Sequence, residues 1–242
     1  MSKTFRLGSA ALNQTPLAWE SNRRNIRLAL DAARQNYVAV LCLPELCISG
    51  YGCEDMFLAA GVRATAAEIL AELIPETHGL VTALGLPIEW REDVYNAVAV
   101  VCDGKLLGVV CKQFLAGDGI HYEPRWFRRW PGGFVDSVQL AGSTVPMGDL
   151  VFHCGDLAIG FEICRDAWVH CRPGAQLAAR GAQVLLNPSA SHFAFGKQAV
   201  RVNFVLQASR DYGVSYAYAN LLGNEAGRAI YDGGALIASG GK

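Results

Sequence analysis

Two hydrophobic patterns alternate along the chain. Short apolar runs bounded by polar or turn residues predict buried strands, and segments in which apolar residues recur every three or four positions predict helices. By this criterion, strands are predicted over residues 5–12, 38–43, 80–86, 97–102, 106–111, 150–153, 157–161, 184–187, 214–219 and 235–238. Helices are predicted over residues 22–36, within 54–74, and over 173–180 and 195–212.

The first helix and the strand after it carry clear signals. Ile26, Leu30 and Ala33 recur at helical spacing with arginines on the opposite face. Ser21 precedes this pattern and is predicted to cap the helix. Residues 38–43 are apolar throughout, which indicates a strand buried on both faces.

A hairpin is predicted in the middle of the chain. Asp103-Gly104-Lys105 separates two apolar runs, and an Asp-Gly pair favours a tight hairpin turn. Residues 118–145 are rich in Gly, Pro, Trp and Arg and are predicted to form a long functional loop. Because strands and helices alternate on both sides of the hairpin, the pattern predicts an α/β sandwich with a mixed sheet, in one domain over residues 1–242.

The composition is typical of a well-packed protein, since 52% of the 242 residues are hydrophobic and 18% are charged. A net charge of -1 provides no field that would attract nucleic acid or an anionic membrane. Residues 1–6 lack the apolar core of a signal peptide, and no apolar run approaches the length of a membrane span. A cytoplasmic location is therefore expected.

The cysteines and histidines show no metal-binding spacing. Most of the eight cysteines lie in apolar, strand-like runs, and none forms a Cys-x-x-Cys pair. The five histidines form no closely spaced cluster. Reduced thiols and no metal site are therefore expected.

Three reactive side chains follow predicted strands. Glu45, Lys112 and Cys164 each come at, or a few residues after, the end of an apolar run. Because ligand and catalytic groups in α/β folds collect at strand ends, we expect the three side chains to converge on one pocket.

Each of these residues alone has a simpler interpretation. Glu45 suits a helix cap or a loop, Lys112 a charged surface, and Cys164 a buried core thiol. Together they supply what amide hydrolysis through a thioester requires: a thiolate that attacks the carbonyl carbon, a carboxylate that moves protons, and an ammonium that stabilises the oxyanion. No histidine lies in a position matching Cys164, which disfavours a Cys–His pair.

The residues around these positions resemble a known family. Leu43-Pro44-Glu45, Lys112 and Ile163-Cys164-Arg165-Asp166 are similar to the Glu, Lys and Cys signatures of the nitrilase, or carbon–nitrogen hydrolase, superfamily. Glu123, in His121-Tyr122-Glu123, occupies the place of a supporting second glutamate in that superfamily. A surface loop charge is the alternative for Glu123.

One branch of the superfamily resembles the chain over nearly its whole length. The block over residues 43–57 is similar to the N-terminal glutaminase domains of glutamine-dependent NAD synthetases, and generic nitrilases carry other residues there. Similar segments lie at residues 125–127, 145–149, 187–192, 197–202 and 231–234.

The resemblance implies a four-layer αββα sandwich that hydrolyses the side-chain amide of glutamine. It implies that the ammonia passes through a tunnel to a synthetase domain, fused or separate, which converts adenylated deamido-NAD into NAD. No cofactor is implied for the glutaminase step, and ATP and Mg only for the synthetase domain. Self-association into a homo-oligomer is also expected by resemblance.

The synthetase domain itself is not expected in this chain. Ser239-Gly240-Gly241 only distantly resembles the phosphate-gripping loop of that domain, and it is predicted to form a turn. Because glutaminase domains of this kind continue with more sheet, the C-terminal end is expected to be truncated.

Substrate contacts are also inferred by resemblance. Ser189, Ser191 and Lys197 lie in the segment that carries such contacts, and a lysine near hydroxyls suits a carboxylate. A capped helix start with a solvated lysine is the alternative. Tyr51 and Tyr122 are candidates for the pocket wall, and core aromatic residues would have the same pattern.

One residue departs from the branch. Arg165 stands just after the nucleophile, where the branch carries an acidic residue, and it is a further candidate for substrate contact. It favours a stand-alone nitrilase-type amidase or carbamoylase as an alternative function. A second alternative is a non-catalytic interaction domain in which Cys164 is an inert core thiol.

Overall fold

Two seven-stranded sheets form the centre of the fold within residues 4–225 and 228–242, the residues that this computed structural model describes. The strands, numbered in chain order, are β1 (Leu7–Ser9), β2 (Leu12–Asn13), β3 (Val40–Cys42), β4 (Val81–Trp90), β5 (Asp93–Cys102), β6 (Lys105–Cys111), β7 (Val135–Leu140), β8 (Ser143–Gly148), β9 (Phe152–Cys154), β10 (Leu157–Phe161), β11 (Val184–Ser189), β12 (Ser215–Glu225), β13 (Ala229–Asp232) and β14 (Ala235–Ser239). The helices are α1 (Trp19–Gln35), α2 (Ala60–Leu73), α3 (Glu123–Trp126), α4 (Pro173–Ala179) and α5 (Lys197–Asp211).

Both sheets mix parallel and antiparallel pairs. The first has the order β1-β3-β4-β5-β6-β8-β7, with parallel pairs from β1 to β4 and antiparallel pairs from β4 to β6. The second has the order β13-β12-β11-β10-β9, and β2 and β14 also pair with the long strand β12. The mixed sheets confirm the predicted α/β class.

The layers follow from how the apolar side chains are divided. Val40 and Val98 of the first sheet share one buried cluster with Ile159, Leu186 and Ala217 of the second, so the two sheets pack face to face. The outer face of the first sheet is covered by α1 and α2, and that of the second by α4 and α5. The order of layers is therefore αββα, as the resemblance implied.

The central hairpin has the predicted turn. Cys102 pairs with Lys105, and the two residues between them, Asp103 and Gly104, have φ angles of +47° and +74°. Two successive left-handed residues are what a two-residue hairpin turn requires, and glycine takes this conformation at little cost.

Two of the predicted elements are wrong in part. The first helix begins at Trp19, so Ser21 lies inside it and its hydroxyl donates to the carbonyl of Ala18 instead of capping the helix. The buried residues Ile26, Leu30 and Ala33 confirm the predicted apolar face.

The predicted loop over 118–145 contains helix α3 and most of a second hairpin, β7–β8. Its apolar residues Val138, Leu140 and Val145 are buried among polar neighbours, which is the alternation of a strand. Ala141 and Gly142 form the turn with φ angles of +48° and +77°. The Gly, Pro, Trp and Arg content of the segment obscured this signal.

Smaller differences concern the number and the division of the strands. The strand predicted over 5–12 is divided into β1 and β2, and β13 was not predicted. The predicted turn at Ser239-Gly240-Gly241 is confirmed, since β14 ends at Ser239. Within residues 4–225 and 228–242, no helix has both the length and the apolarity needed to cross a bilayer.

Candidate active site

A buried ion-pair cluster lies where strands of the first sheet end. Lys112 follows β6 directly, and its ammonium lies 2.6 Å from Glu45 Oε1 and 2.7 Å from Glu123 Oε1. All three side chains are fully excluded from solvent. The ammonium has three protons, so one is left that is free of these two carboxylates.

Backbone and amide groups hold Glu45 in place after strand β3. Asn96 Nδ2, on β5, donates to Glu45 Oε1 over 2.7 Å, and the N–H of Ala190 donates to Oε2 over 3.0 Å. The chain then turns at Leu46, where φ is +48°. This turn packs against Gly85 of β4, where a Cβ atom would collide with the Leu46 nitrogen. Gly85 is thus part of what positions Glu45.

Glu123 is held just as firmly, at the start of helix α3. The hydroxyl of Tyr51 donates to its Oε1 over 2.6 Å, and the N–H of Ala116 donates to its Oε2 over 2.9 Å. The side chain therefore has a fixed orientation toward Lys112. Of the two interpretations of Glu123 in the sequence, the buried ion pair excludes the surface loop charge.

The cluster carries two carboxylates against one ammonium. Burial raises the pKa of Glu45, and the nearby Glu123 adds to this, while Lys112 acts in the opposite direction. Burial acts to lower the pKa of Lys112, but Glu123 and Glu45 outweigh it and the pKa is raised. Lys112 is therefore a permanent cation, and Glu45 is a carboxyl group with an enhanced affinity for a proton.

Cys164 ends the segment that follows β10, and it begins a turn of 3₁₀ helix over Cys164–Trp168. Its φ angle is +44°, a left-handed conformation that a residue with a side chain adopts at a cost and that is often found at functional sites. The N–H of Ala190, which donates to Glu45, also acts to lower the pKa of the Cys164 thiol. The thiol and the carboxylate are therefore neighbours.

The surroundings keep the sulfur protonated in the free protein. Burial raises the pKa of Cys164 to about 12, and the charges of Glu45 and Glu123 add to this while Lys112 opposes it. A thiol with this pKa needs a base beside it to become a nucleophile, and Glu45 is placed for that task.

Asp166 ties the cysteine turn to the lysine segment. One of its carboxylate oxygens accepts the N–H groups of Gln113 and Phe114, over 3.1 Å and 2.7 Å, and the other accepts the N–H of Ile163 over 2.9 Å. Burial raises its pKa to about 8. The three bonds fix the position of Cys164 relative to Lys112, across the space between the two sheets.

Lys197 lies near the thiol, at the start of helix α5. Burial lowers its pKa, and the charge of Cys164 acts in the opposite direction. Its ammonium lies 5.5 Å from the centre of the Trp168 ring and 3.3 Å from His192 Nδ1. The alternative interpretation expected a solvated lysine, whereas Lys197 is half-buried. Its role in binding substrate stays a prediction.

The two candidate serines are buried and already bonded. The hydroxyl of Ser189 donates to Asn187 Oδ1 over 2.5 Å, and the backbone of Ser191 is held by Asn220 and Arg201. Their predicted contacts with substrate remain untested.

Tyr122 and Arg165 lie further out than Tyr51. The side chain of Tyr122 is 52% exposed and Arg228 stacks on its ring at 5.0 Å. Arg165 is partly exposed and lies 3.3 Å from Asp118 Oδ2. Their roles as pocket residues stay predictions.

Several residues of the cluster were not singled out in the sequence. Asn96 is the one polar residue in the buried stretch of β5 over residues 94–101, and this was a usable signal. Asp166 lay inside the nucleophile motif but received no role. In the part of the chain that the structure describes, no group of three or more His, Cys, Asp or Glu side chains is arranged to hold a metal ion.

The fold and this site together define a class of enzyme. A family model described as carbon-nitrogen hydrolase matches residues 6–242. The chain belongs to the carbon–nitrogen hydrolase family, which confirms the resemblance at that level.

The relatives narrow the comparison within the family. The glutamine-dependent NAD(+) synthetase of Saccharomyces cerevisiae is 34% identical over 249 residues, which are 98% of this chain and 35% of that protein. The Homo sapiens glutamine-dependent NAD(+) synthetase is 31% identical over 254 residues, 100% of this chain and 36% of that protein. The chain thus spans about a third of the length of these relatives.

Solved structures agree with the αββα fold. The crystal structure of a glutamine-dependent NAD(+) synthetase from Cytophaga hutchinsonii has a TM-score of 0.92 and 47% identity, and it matches 99% of this chain and 40% of that one. An amidase of the nitrilase superfamily from Nesterenkonia AN1 has a TM-score of 0.81 and 21% identity, matching 98% of this chain and 84% of that one. The second likeness shows the fold alone.

Proposed function

We propose that this chain hydrolyses the side-chain amide of glutamine through a thioester on Cys164, with Glu45 and Lys112 as the other two members of a catalytic triad. The observation that carries the proposal is the buried Lys112 ammonium between Glu45 and Glu123, beside a thiol in a strained turn. The choice of glutamine is supported by the glutamine-dependent NAD(+) synthetases that resemble this chain over nearly its whole length.

In the first half of the reaction Glu45 takes the proton of Cys164 as the sulfur attacks the carbonyl carbon of the amide. The oxyanion that forms is stabilised by the free proton of Lys112 and by the backbone N–H of Arg165. Glu45 then gives its proton to the departing nitrogen, and ammonia leaves a thioester behind.

In the second half a water molecule attacks the thioester and gives a proton to Glu45. The tetrahedral intermediate collapses, the sulfur leaves and takes that proton back, and glutamate is released. Glu123 acts through Lys112, because it holds the ammonium in contact with Glu45 and stabilises its positive charge in the buried pocket.

The ammonia is proposed to serve an ATP-dependent synthetase domain, fused or separate, that converts deamido-NAD into NAD. The similarity to glutamine-dependent NAD(+) synthetases supports this partner. A stand-alone amidase or carbamoylase is the second candidate, favoured by Arg165 at the position after the nucleophile.

The two candidate functions are separated by measuring ammonia release from glutamine, asparagine, short aliphatic amides and carbamoyl amines. Glutamine as a poor substrate beside a fast aliphatic amide would reject the first candidate.

We expect Glu45→Gln to keep the fold and lose proton transfer, because glutamine has the same shape but cannot take the thiol proton. Ammonia release should fall by about 10²–10⁴-fold, the usual contribution of a positioned acid–base group. Rapid mixing with glutamine should show that thioester formation itself has slowed. The exposed Glu68→Gln serves as the control, and near-normal acylation in Glu45→Gln would contradict the role of Glu45 as base.

We expect Lys197→Met to weaken substrate binding, because a charge-assisted bond to the α-carboxylate of glutamine would be lost. KM for glutamine should rise about 10- to 100-fold with a smaller effect on kcat. The parameters for propionamide, which has no carboxylate, should not change. Lys105→Met, at an exposed lysine of β6, is the matched control. An equal loss for both substrates would show that Lys197 is structural.

A further inference from the structure

We propose that Tyr51, His121 and His192 form a proton relay that connects the buried Glu45–Lys112–Glu123 cluster with solvent. This inference rests on the proposed amide hydrolysis and extends it, since it assigns the route by which the proton of each turnover leaves. It does not depend on which amide is the substrate.

The contacts form a continuous row. Tyr51 Oη lies 2.6 Å from Glu123 Oε1 and 3.2 Å from His121 Nδ1. His121 Nε2 lies 2.9 Å from His192 Nδ1. At the inner end Lys112 bridges Glu123 and Glu45 at 2.7 Å and 2.6 Å. Exposure increases along the row, from the buried Glu123 and Tyr51 to the half-buried histidines.

The reaction produces a proton that has to leave. When ammonia departs uncharged, the balance is R–CONH₂ + H₂O → R–COO⁻ + NH₃ + H⁺. The new acid is more acidic than a thiol or an ammonium, so its proton passes to the groups around it. Glu45, whose pKa is raised by burial, is the acceptor that the proposed mechanism supplies. A second turnover requires that Glu45 lose this proton again.

One series of proton transfers along the row moves this proton from Glu45 to solvent. Glu45 gives a proton to Lys112 as Lys112 gives one to Glu123, so the lysine remains an ammonium throughout. Glu123 then donates to Tyr51 Oη, Tyr51 donates to His121 Nδ1, and His121 Nε2–H donates to His192 Nδ1. His192 releases the proton on its Nε2 to water. The final state has Tyr51 donating to Glu123, which is the direction found here. Before the next turnover the two half-buried rings exchange protons with solvent, so that each again carries its proton on Nε2 and can accept on Nδ1.

The surroundings keep the two rings neutral, which suits transfer without trapping of the proton. His121 faces Tyr51, Glu123 and His192, with Lys112 and Lys197 also near, and burial lowers its pKa to about 4. His192 faces Lys197, Arg201, Asp232 and Asp118, and burial also lowers its pKa.

A neutral imidazole can accept on one nitrogen while it donates from the other. The planes of the two rings are inclined by 49°, and the contact between them joins two ring nitrogens.

The test is chemical rescue of His121→Phe, which keeps an aromatic ring against Tyr51 and His192. Ammonia release is measured at fixed pH and ionic strength while the imidazole concentration is raised, and thioester formation is followed separately by rapid mixing. We expect kcat to fall about 10²-fold, the lower end of what positioned proton transfer contributes, with little change in KM. Added imidazole should restore part of the loss, because it carries the proton in place of the ring.

The controls separate the relay from a structural role. The wild type and His153→Phe, at an exposed histidine, should show no dependence on imidazole. Tyr51→Phe removes only the hydroxyl and should lose kcat in the same way, which keeps the test valid if His121→Phe does not fold. A raised KM, an unchanged kcat, or a loss of kcat that imidazole does not relieve would overturn the relay.

Failure of the relay and failure of the glutaminase proposal give different results. If the wild type hydrolyses another amide instead of glutamine, the relay is tested on that amide. If the wild type forms a thioester with no amide at all, both proposals fall.

Discussion

Cys164→Ala should abolish amide hydrolysis and leave the fold intact. Without the sulfur no thioester forms, and no other group of the buried cluster can replace it as a nucleophile. The substitution removes one atom from a side chain that is 7% exposed, so the free energy of unfolding should change by about 1 kcal/mol. Alanine at position 164 would adopt the same strained φ of +44° as cysteine, so the backbone strain should not change.

The measurement is ammonia and glutamate release, together with mass spectrometry of the protein after mixing with glutamine. The wild type should show the mass of the thioester and the variant should not. Cys171→Ala, at an exposed cysteine, is the control and should behave like the wild type. Undiminished turnover in Cys164→Ala would refute the assignment of the nucleophile and favour a core thiol.

Lys112→Met should reduce amide hydrolysis almost as strongly as Cys164→Ala. Removal of a positioned oxyanion donor raises the activation barrier by about 3–4 kcal/mol, which is a loss of about 10²–10³-fold in kcat. The true loss should exceed this, because Glu45 and Glu123 then lose the cation that lies 2.6 Å and 2.7 Å from them. The kcat for glutamine is the quantity to measure.

The stability of Lys112→Met should depend on pH in a defined direction. Without the ammonium, burial and repulsion from Glu123 raise the pKa of Glu45 further in the folded state. A group whose pKa is raised by folding stabilises the protein below its unfolded pKa, and this stability is lost as the pH rises through the folded value. Unfolding by urea at several pH values should therefore show a deficit that is small in acid and grows toward neutral pH.

Lys105→Met, at the exposed start of the same strand, controls for the loss of a lysine as such. A deficit for Lys112→Met that does not vary with pH would show that the Lys112 charge does not affect the ionisation of Glu45. An unchanged kcat would remove Lys112 from the triad.

The sequence determined the α/β class of this protein and the places of its reactive groups. Apolar runs and helical spacing are local signals, and they located β10 and the hairpin β5–β6 closely. Glu45, Lys112 and Cys164 were found because each follows such a run. Convergence was expected from the rule that strand ends share one edge, and the structure places the carboxylates and the ammonium within contact distance.

Other parts of the site left no local signal. The segments that meet at Asp166 are about 50 residues apart in the chain, and the Ala190 N–H binds Glu45 across 145 residues. The φ of Cys164 depends on the packing of its turn and not on its residue type. Such contacts arise only when the two sheets pack together.

The sequence alone decided which segments become strands and helices and which side chains lie at their ends. These are local properties, because hydrophobic periodicity is set by neighbouring residues. Only the tertiary structure decided how those side chains meet. It brought the side chains from Glu45 to His192 into contact, and it buried Lys112. Both results depend on residues that are distant in the chain, because these residues set burial and hydrogen-bond geometry.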